Sequence, residues 1–170
     1  MQKTQPSVDI TEADLDNSDH QDAILQLLDA YSRDPMGDGR PLSERTYKEL
    51  IPALQRHPTT IIFLAYAGGK PVGIAVCFKG FSTFAARPLI NIHDFAALPN
   101  YRGFGIGRIM LAAIEKKALE MGCCKLTLET QENNTRARQV YEAAGFAQAM
   151  YQAEAGGSLF YSKPLNIDQT

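Results

Sequence analysis

The sequence contains no tryptophan, and only three cysteines and three histidines in 170 residues. Cys77, Cys123 and Cys124 are odd in number, and the adjacent pair lacks the spacing of a redox or zinc motif. No disulfide framework is expected, and the thiols read as buried and free. Neither sign of charge is in surplus. With 17 Lys and Arg against 19 Asp and Glu, the formal net charge of -2 gives no general attraction for nucleic acid or an anionic membrane. Long apolar runs are missing too: residues 61–67 and 74–78 are strand-sized and far short of a bilayer span. Residues 1–9 lack the charged start, apolar middle and small-residue cleavage site of a secretory signal, so a cytoplasmic location is expected.

What is present suffices for one core. At 45% hydrophobic residues, a chain of this length is expected to form a single domain over 1–170, with 1–7 a loose polar tail. Residues 7–13 read as a short strand. Ser18 or Asp19 caps a helix over 20–32, where Ile24, Leu27, Leu28 and Tyr31 recur at three- and four-residue steps. The turn formers of 34–41 make a loop. Ser43 then caps a second helix through Tyr47, Leu50, Ile51 and Leu54, ending before Pro58, with Pro52 expected to kink or shorten it. Strands over 59–67 and 71–79, joined at Gly68 and Gly69, form an antiparallel hairpin. Residues 80–88 are less regular, and 89–98 is a strand. A glycine-rich turn opens a helix whose Ile106, Ile109, Met110, Ala113, Ile114, Ala118 and Met121 keep a 3.6-residue period until Gly122. A strand over 125–130, a helix over 134–144 and strands over 146–151 and 159–163 complete the chain.

The turn from Arg102 to Gly107 joins a strand to a helix N-terminus. Such a junction binds anions, because the first turn leaves backbone N–H groups unpaired at the positive end of the helix dipole. Arg102 and Arg108 add fixed positive charge. Three phosphate motifs compete. A Walker loop requires Lys-Ser or Lys-Thr after its last glycine, and Arg108-Ile109 follows Gly107. A dinucleotide fingerprint puts its third glycine at Arg108 or Met110, although Glu129 lies at a suitable distance for a ribose contact. The third pattern, R-x-x-G-x-G, is written by Arg102, Gly105 and Gly107. It resembles the pyrophosphate-binding signature of the GNAT superfamily of N-acetyltransferases.

The resemblance continues beyond the turn. Residues 97–108 look like that family's fourth strand, short loop and third helix, and Asn134, Ala137, Tyr141, Glu142, Gly145 and Phe146 resemble its later motif. Taken singly, Gly105 and Gly107 also suit close helix packing, and Tyr141 and Phe146 also suit a core. The resemblance implies an α/β fold of the α+β mixed-sheet kind: a central, mostly antiparallel sheet splayed between strands four and five, flanked by about four helices. It further implies acetyl-CoA as acyl donor. Contacts would lie along Phe95, Ala96, Ala97 and Leu98, with Phe95 and Ala97 as the backbone partners of the pantetheine arm. They would continue through Arg102, Gly103, Phe104, Gly105, Ile106, Gly107 and Arg108 to Asn134 and Tyr141.

The chemistry implied is acetyl transfer to a primary amine of a small molecule or peptide by direct attack in a ternary complex. An amine with a lysine-like pKa near 10.4 is neutral in only about one molecule in 2,500 at pH 7, equivalent to roughly 4.6 kcal/mol for deprotonation. A proton route, an oxyanion donor and a donor to the departing thiolate are therefore needed. Similarity to the family gives Tyr141 the last role and a fourth-strand N–H, where the strand bulges and splays, the second. Many members carry a Glu early in that strand, but Asn91 aligns there and cannot take a proton. By strand alternation His93 shares a face with Asn91, Phe95 and Ala97 while Asp94 points away, which makes His93 the candidate base and Glu129 the second choice. An interior histidine satisfied by a hydrogen bond is the alternative reading. Residues on opposite faces cannot chelate one ion, so no metal is expected. The loops 34–41 and 80–88 are expected to shape the acceptor site, with Phe81 and Phe84 lining an apolar pocket or closing the core. Neither nucleic acid nor membrane is an expected partner, and a homodimer is allowed. A non-catalytic acyl-CoA-binding module would keep the glycine turn without a proton route, and Tyr141 argues against it.

Overall fold

The computed structural model describes residues 7–150 and 152–165. Most of the expected tail, and Tyr151 of one expected strand, lie outside them. The elements are β1 (Val8–Glu12), α1 (Ser18–Ser32), α2 (Glu44–Arg56), β2 (Thr60–Ala67), β3 (Lys70–Ser82), β4 (Arg87–Ala97), α3 (Ile106–Glu120), β5 (Leu126–Leu128) and α4 (Thr135–Ala143). The strands lie side by side in chain order. The first three pairings are antiparallel, and β4 with β5 is parallel. A parallel pair needs a long crossover, which α3 provides.

Each face of the sheet carries a core. Ala23, Ile24 and Leu27 of α1 and Ile51 and Leu54 of α2 pack on Ile62, Leu64, Ile74 and Val76. On the other face Ile106, Met110, Ile114 and Ala118 of α3 and Tyr141 of α4 pack on Phe63, Ala75, Cys77, Ile90 and Ile92. The alternation of neighbouring residues between these two sets is the two-residue period of a strand covered on both sides.

Local chemistry moves several boundaries. The N-cap of α1 is Asn17, whose side chain accepts the Asp19 and His20 N–H groups, rather than Ser18 or Asp19. Ser43 caps α2 as expected, and the helix runs through Pro52 to Arg56 without being shortened. Residues 80–88 are more regular than expected, because β3 and β4 extend as a ribbon around a four-residue turn at 83–86. Phe81 and Phe84 stand on that ribbon 63% and 94% exposed and close no core. No strand forms over the described part of 146–151 or over 159–163. Among the described residues, the Ser158 N–H, just before the second stretch, donates to the Ala149 carbonyl at 2.9 Å. A β5 of three residues offers a further strand almost no ladder.

Candidate active site

The site is made by a divergence. β4 pairs with β5 only through Ile90, Asn91 and Ile92, and Asn91 Nδ2 donates to Thr127 Oγ1 at 3.1 Å at that last joint. Asn91 is thus a clasp between strands. Beyond it β4 continues to Ala97 with no strand on its outer edge among the described residues. The Leu98 N–H donates to Val72 on β3 at 2.8 Å. Counting back by twos, Ala96 faces β3 as well, so Phe95 and Ala97 direct their N–H and C=O groups to the open edge. The Ala97 carbonyl confirms the direction by accepting Arg102 Nε at 3.0 Å. Of residues 95–98, Phe95 and Ala97 therefore present backbone groups to the open edge. Ala96 and Leu98 are turned to β3 and pack toward the α1 and α2 core.

A β-bulge sits where the strands part. Val76 pairs with Asp94 and Cys77 with Ile92, so His93 is an inserted residue. The insertion overturns the simple alternation. Phe95 and Ala97 join the α3 face together with Ile90 and Ile92. His93 and Asp94 both lie on the α1 face. The His93 ring stands edge-on to Phe78 at 5.4 Å, and Phe78 in turn meets His57 at 4.8 Å. Asp94, opposite Val76 and near Tyr31, is mostly buried. That burial pushes its carboxyl above the ordinary value, with the charge of His93 opposing. Asp94 is a residue that alternation alone misses, and an acid in an apolar strand is the only sign of it. Having His93 and Asp94 adjacent on one face also removes the geometric reason given against a metal. Among the described residues, no group of three or more His, Cys, Asp or Glu could hold one. Glu129 is exposed, one residue past the end of β5.

At the end of β4 the chain turns into α3. Gly105 is the helix cap, at φ 78° and ψ 8°, a left-handed conformation that glycine adopts without steric cost. It brings no side chain to the cap, and the first helical bond is from Ile109 N–H to the Gly105 carbonyl at 3.1 Å. The N–H groups of Ile106, Gly107 and Arg108 thus have no helical acceptor. Gly107 serves packing as well: a Cβ there would meet Val140 Cγ1 at 3.2 Å and Phe95 Cε1 at 3.5 Å. Ile106 has its side chain in the core and offers only its backbone. Arg108 is exposed and borders a cleft of ≈ 450 Å³ between α3, the start of β5 and Phe146. Asn134 caps α4, accepting the Ala137 N–H at 3.2 Å, and so has a structural task.

Tyr141 is 7% exposed, with ring centroids 5.8 Å from Phe95 and 6.0 Å from Phe146. Burial, assisted by Tyr31, pushes its phenol up to about 12. The group is a neutral donor throughout the physiological range. It is also a core aromatic, packed between Phe95 and Phe146.

The glycine turn, the open β4 edge and the buried phenol lie within a segment, residues 23–146, that matches the model of the acetyltransferase (GNAT) family. The chain belongs to the GNAT family. Over 93 residues it is 36% identical to a thialysine N-epsilon-acetyltransferase of Bos taurus, covering 52% of this chain and 54% of that protein. An uncharacterized N-acetyltransferase of Archaeoglobus fulgidus is 28% identical over 152 residues, 89% of this chain and 98% of its own. The chain spans about half the length of the first curated relatives it matches, 46 to 63%. The GNAT fold is shared with the crystal structure of a probable acetyltransferase, at a TM-score of 0.77 and 19% identity, covering 93% of this chain and 98% of that one. No helix among the described residues is long and apolar enough to cross a membrane.

Proposed function

We propose that the protein transfers the acetyl group of acetyl-CoA to a primary amine at the open edge of β4. The observation that carries this reading is the meeting of three features at the splay. These are a strand edge with free backbone groups, a helix start with free N–H groups, and a buried phenol. Bound there, acetyl-CoA supplies a thioester carbonyl open to attack.

The N–H groups of Ile106, Gly107 and Arg108, at the positive end of α3, suit the diphosphate. Phe95, with the N–H of Ala97, offers half of an antiparallel ladder that an amide-bearing arm can complete, and an N–H on this edge suits the oxyanion. Tyr141 donates its phenolic proton to the departing thiolate. His93 takes the proton of the amine, and an ionised Asp94 beside it on the bulge favours the resulting imidazolium.

A panel of amines tests the reading by release of free CoA thiol. Thialysine leads the panel because the bovine relative carries that name. Aminoglycosides, polyamines, arylalkylamines and peptides with free N-termini follow. At least one amine should release thiol, and Tyr141→Phe should lower kcat by roughly ten- to ten-thousandfold with acetyl-CoA affinity within about twofold. Binding of acetyl-CoA without release by any amine would instead support a non-catalytic module.

A further inference from the structure

Arg102 opens the R-x-x-G-x-G turn, yet its guanidinium is already engaged. Nε donates to the Ala97 carbonyl at 3.0 Å and Nη2 to Asp34 Oδ2 at 2.6 Å. The pair is sheltered, with side chains 32% exposed for Arg102 and 9% for Asp34. Burial alone would push the Asp34 carboxyl up. The Arg102 hydrogen bond, the Met36 N–H and the Arg102 charge together outweigh it, and the pKa is lowered. Moving the guanidinium to a phosphate would leave a nearly buried carboxylate uncompensated, a costly exchange. An anion at α3 has other partners, the free N–H groups of the first turn and Arg108.

Asp34 begins the loop between α1 and α2 and organises it. Its Oδ1 accepts the Met36 N–H at 2.9 Å, and its carbonyl accepts the Gly37 N–H at 2.8 Å. From the other side, Gln131 Nε2, in the loop between β5 and α4, donates to the Met36 carbonyl at 3.3 Å. Residues 34–36 are therefore fastened both to the turn after β4 and to the loop after β5. They cross the gap where those strands part. Tyr31, in the last turn of α1, feels the charges of both Asp94 and Asp34, which puts the root of this loop beside the bulge.

We infer that Arg102 and Asp34 act as a positioning pair that holds the α1–α2 loop across the splay and so shapes the amine side of the site, rather than as ligands of the diphosphate. The inference rests on the acetyl-transfer reading for its amine, but the tie itself does not.

Arg102→Ala, Asp34→Ala and the double variant test it by three measurements. Calorimetry should find acetyl-CoA affinity within about threefold of the parent in both single variants, because neither side chain meets the diphosphate. Amide exchange at Met36 and Gly37 should accelerate about tenfold or more in Arg102→Ala. The KM for the amine should rise about tenfold in each single variant and little further in the double, the non-additivity of residues acting as one. A tenfold weakening of acetyl-CoA by Arg102→Ala but not by Asp34→Ala would make Arg102 a phosphate ligand and overturn the inference. So would unchanged exchange in Arg102→Ala, or an unchanged amine KM in a loosened loop. The affinity and exchange readouts need no acceptor, so failure of the acetyl-transfer reading stays distinguishable. If an alanine variant does not fold, Arg102→Gln and Asp34→Asn carry the same comparison, since each removes the charge at near-constant size.

Discussion

At His93 an imidazole stands exposed and edge-on to Phe78, with the Asp94 carboxyl next along the bulge. Exposure lets an incoming amine reach the ring and lets the proton leave to solvent. If neutral His93 accepts that proton, kcat/KM should show an ascending limb with pH that depends on the imidazole. His93→Gln keeps a polar side chain of similar reach but cannot take a proton, so the variant should lose that limb. Any remaining rise should follow the higher pKa of the amine itself. A folded His93→Gln enzyme with an unchanged limb would move the role to Asp94, Glu129 or solvent. Tyr141 shows the opposite environment. Burial there raises the phenol to about 12, which keeps the proton on the group proposed to donate it.

The elements of the site differ in how far they can be read from residue pattern. The periodic apolar faces of α1, α2 and α3, the Gly68 and Gly69 hairpin, and the glycine cap of α3 are legible, because each rests on contacts or dihedrals local in the chain. The bulge is not, since nothing local in Ile92, His93 and Asp94 announces that Val76 and Cys77 will face Asp94 and Ile92. Among the described residues, the strands expected over 146–151 and 159–163 do not form for a related reason: a strand needs a partner, and β5 is only three residues long. The engagement of Arg102 with Asp34, 68 residues away, is equally non-local. Where the local signal is strong it supports a direct test. Gly105→Asp would place a carboxylate at the cap of α3, where it can accept the free N–H groups itself and repel a phosphate. Calorimetry should find acetyl-CoA affinity reduced about tenfold or more, the scale of losing one favourable charge–dipole contact of about 1.4 kcal/mol. Undiminished affinity would remove the α3 start from the site.

Across the whole molecule, the two cores on either side of the sheet contain no buried polar or charged residue among those described. Polar groups enter the sheet instead at the bulge, where Asp94 lies mostly buried near His93, Tyr31 and Cys77. Burial holds its carboxyl above the ordinary value despite the opposing charge of His93. The folded protein therefore binds this proton more tightly than the unfolded chain. The stability contributed by protonated Asp94 is present in full below the unfolded pKa, near 3.9, and is lost as pH rises through the higher folded value. Near neutral pH the charge costs stability. Asp94→Asn keeps the size and much of the hydrogen-bonding capacity without the charge, so its urea midpoint at pH 7 should exceed that of the parent. The advantage should shrink as pH falls and the parent carboxyl takes up its proton in the fold. Activity should move the other way, with kcat falling because the proton on His93 loses its neighbouring charge. A lower midpoint at pH 7 would show that the carboxylate is held by a favourable pairing, and the site would then carry no cost of function at this residue.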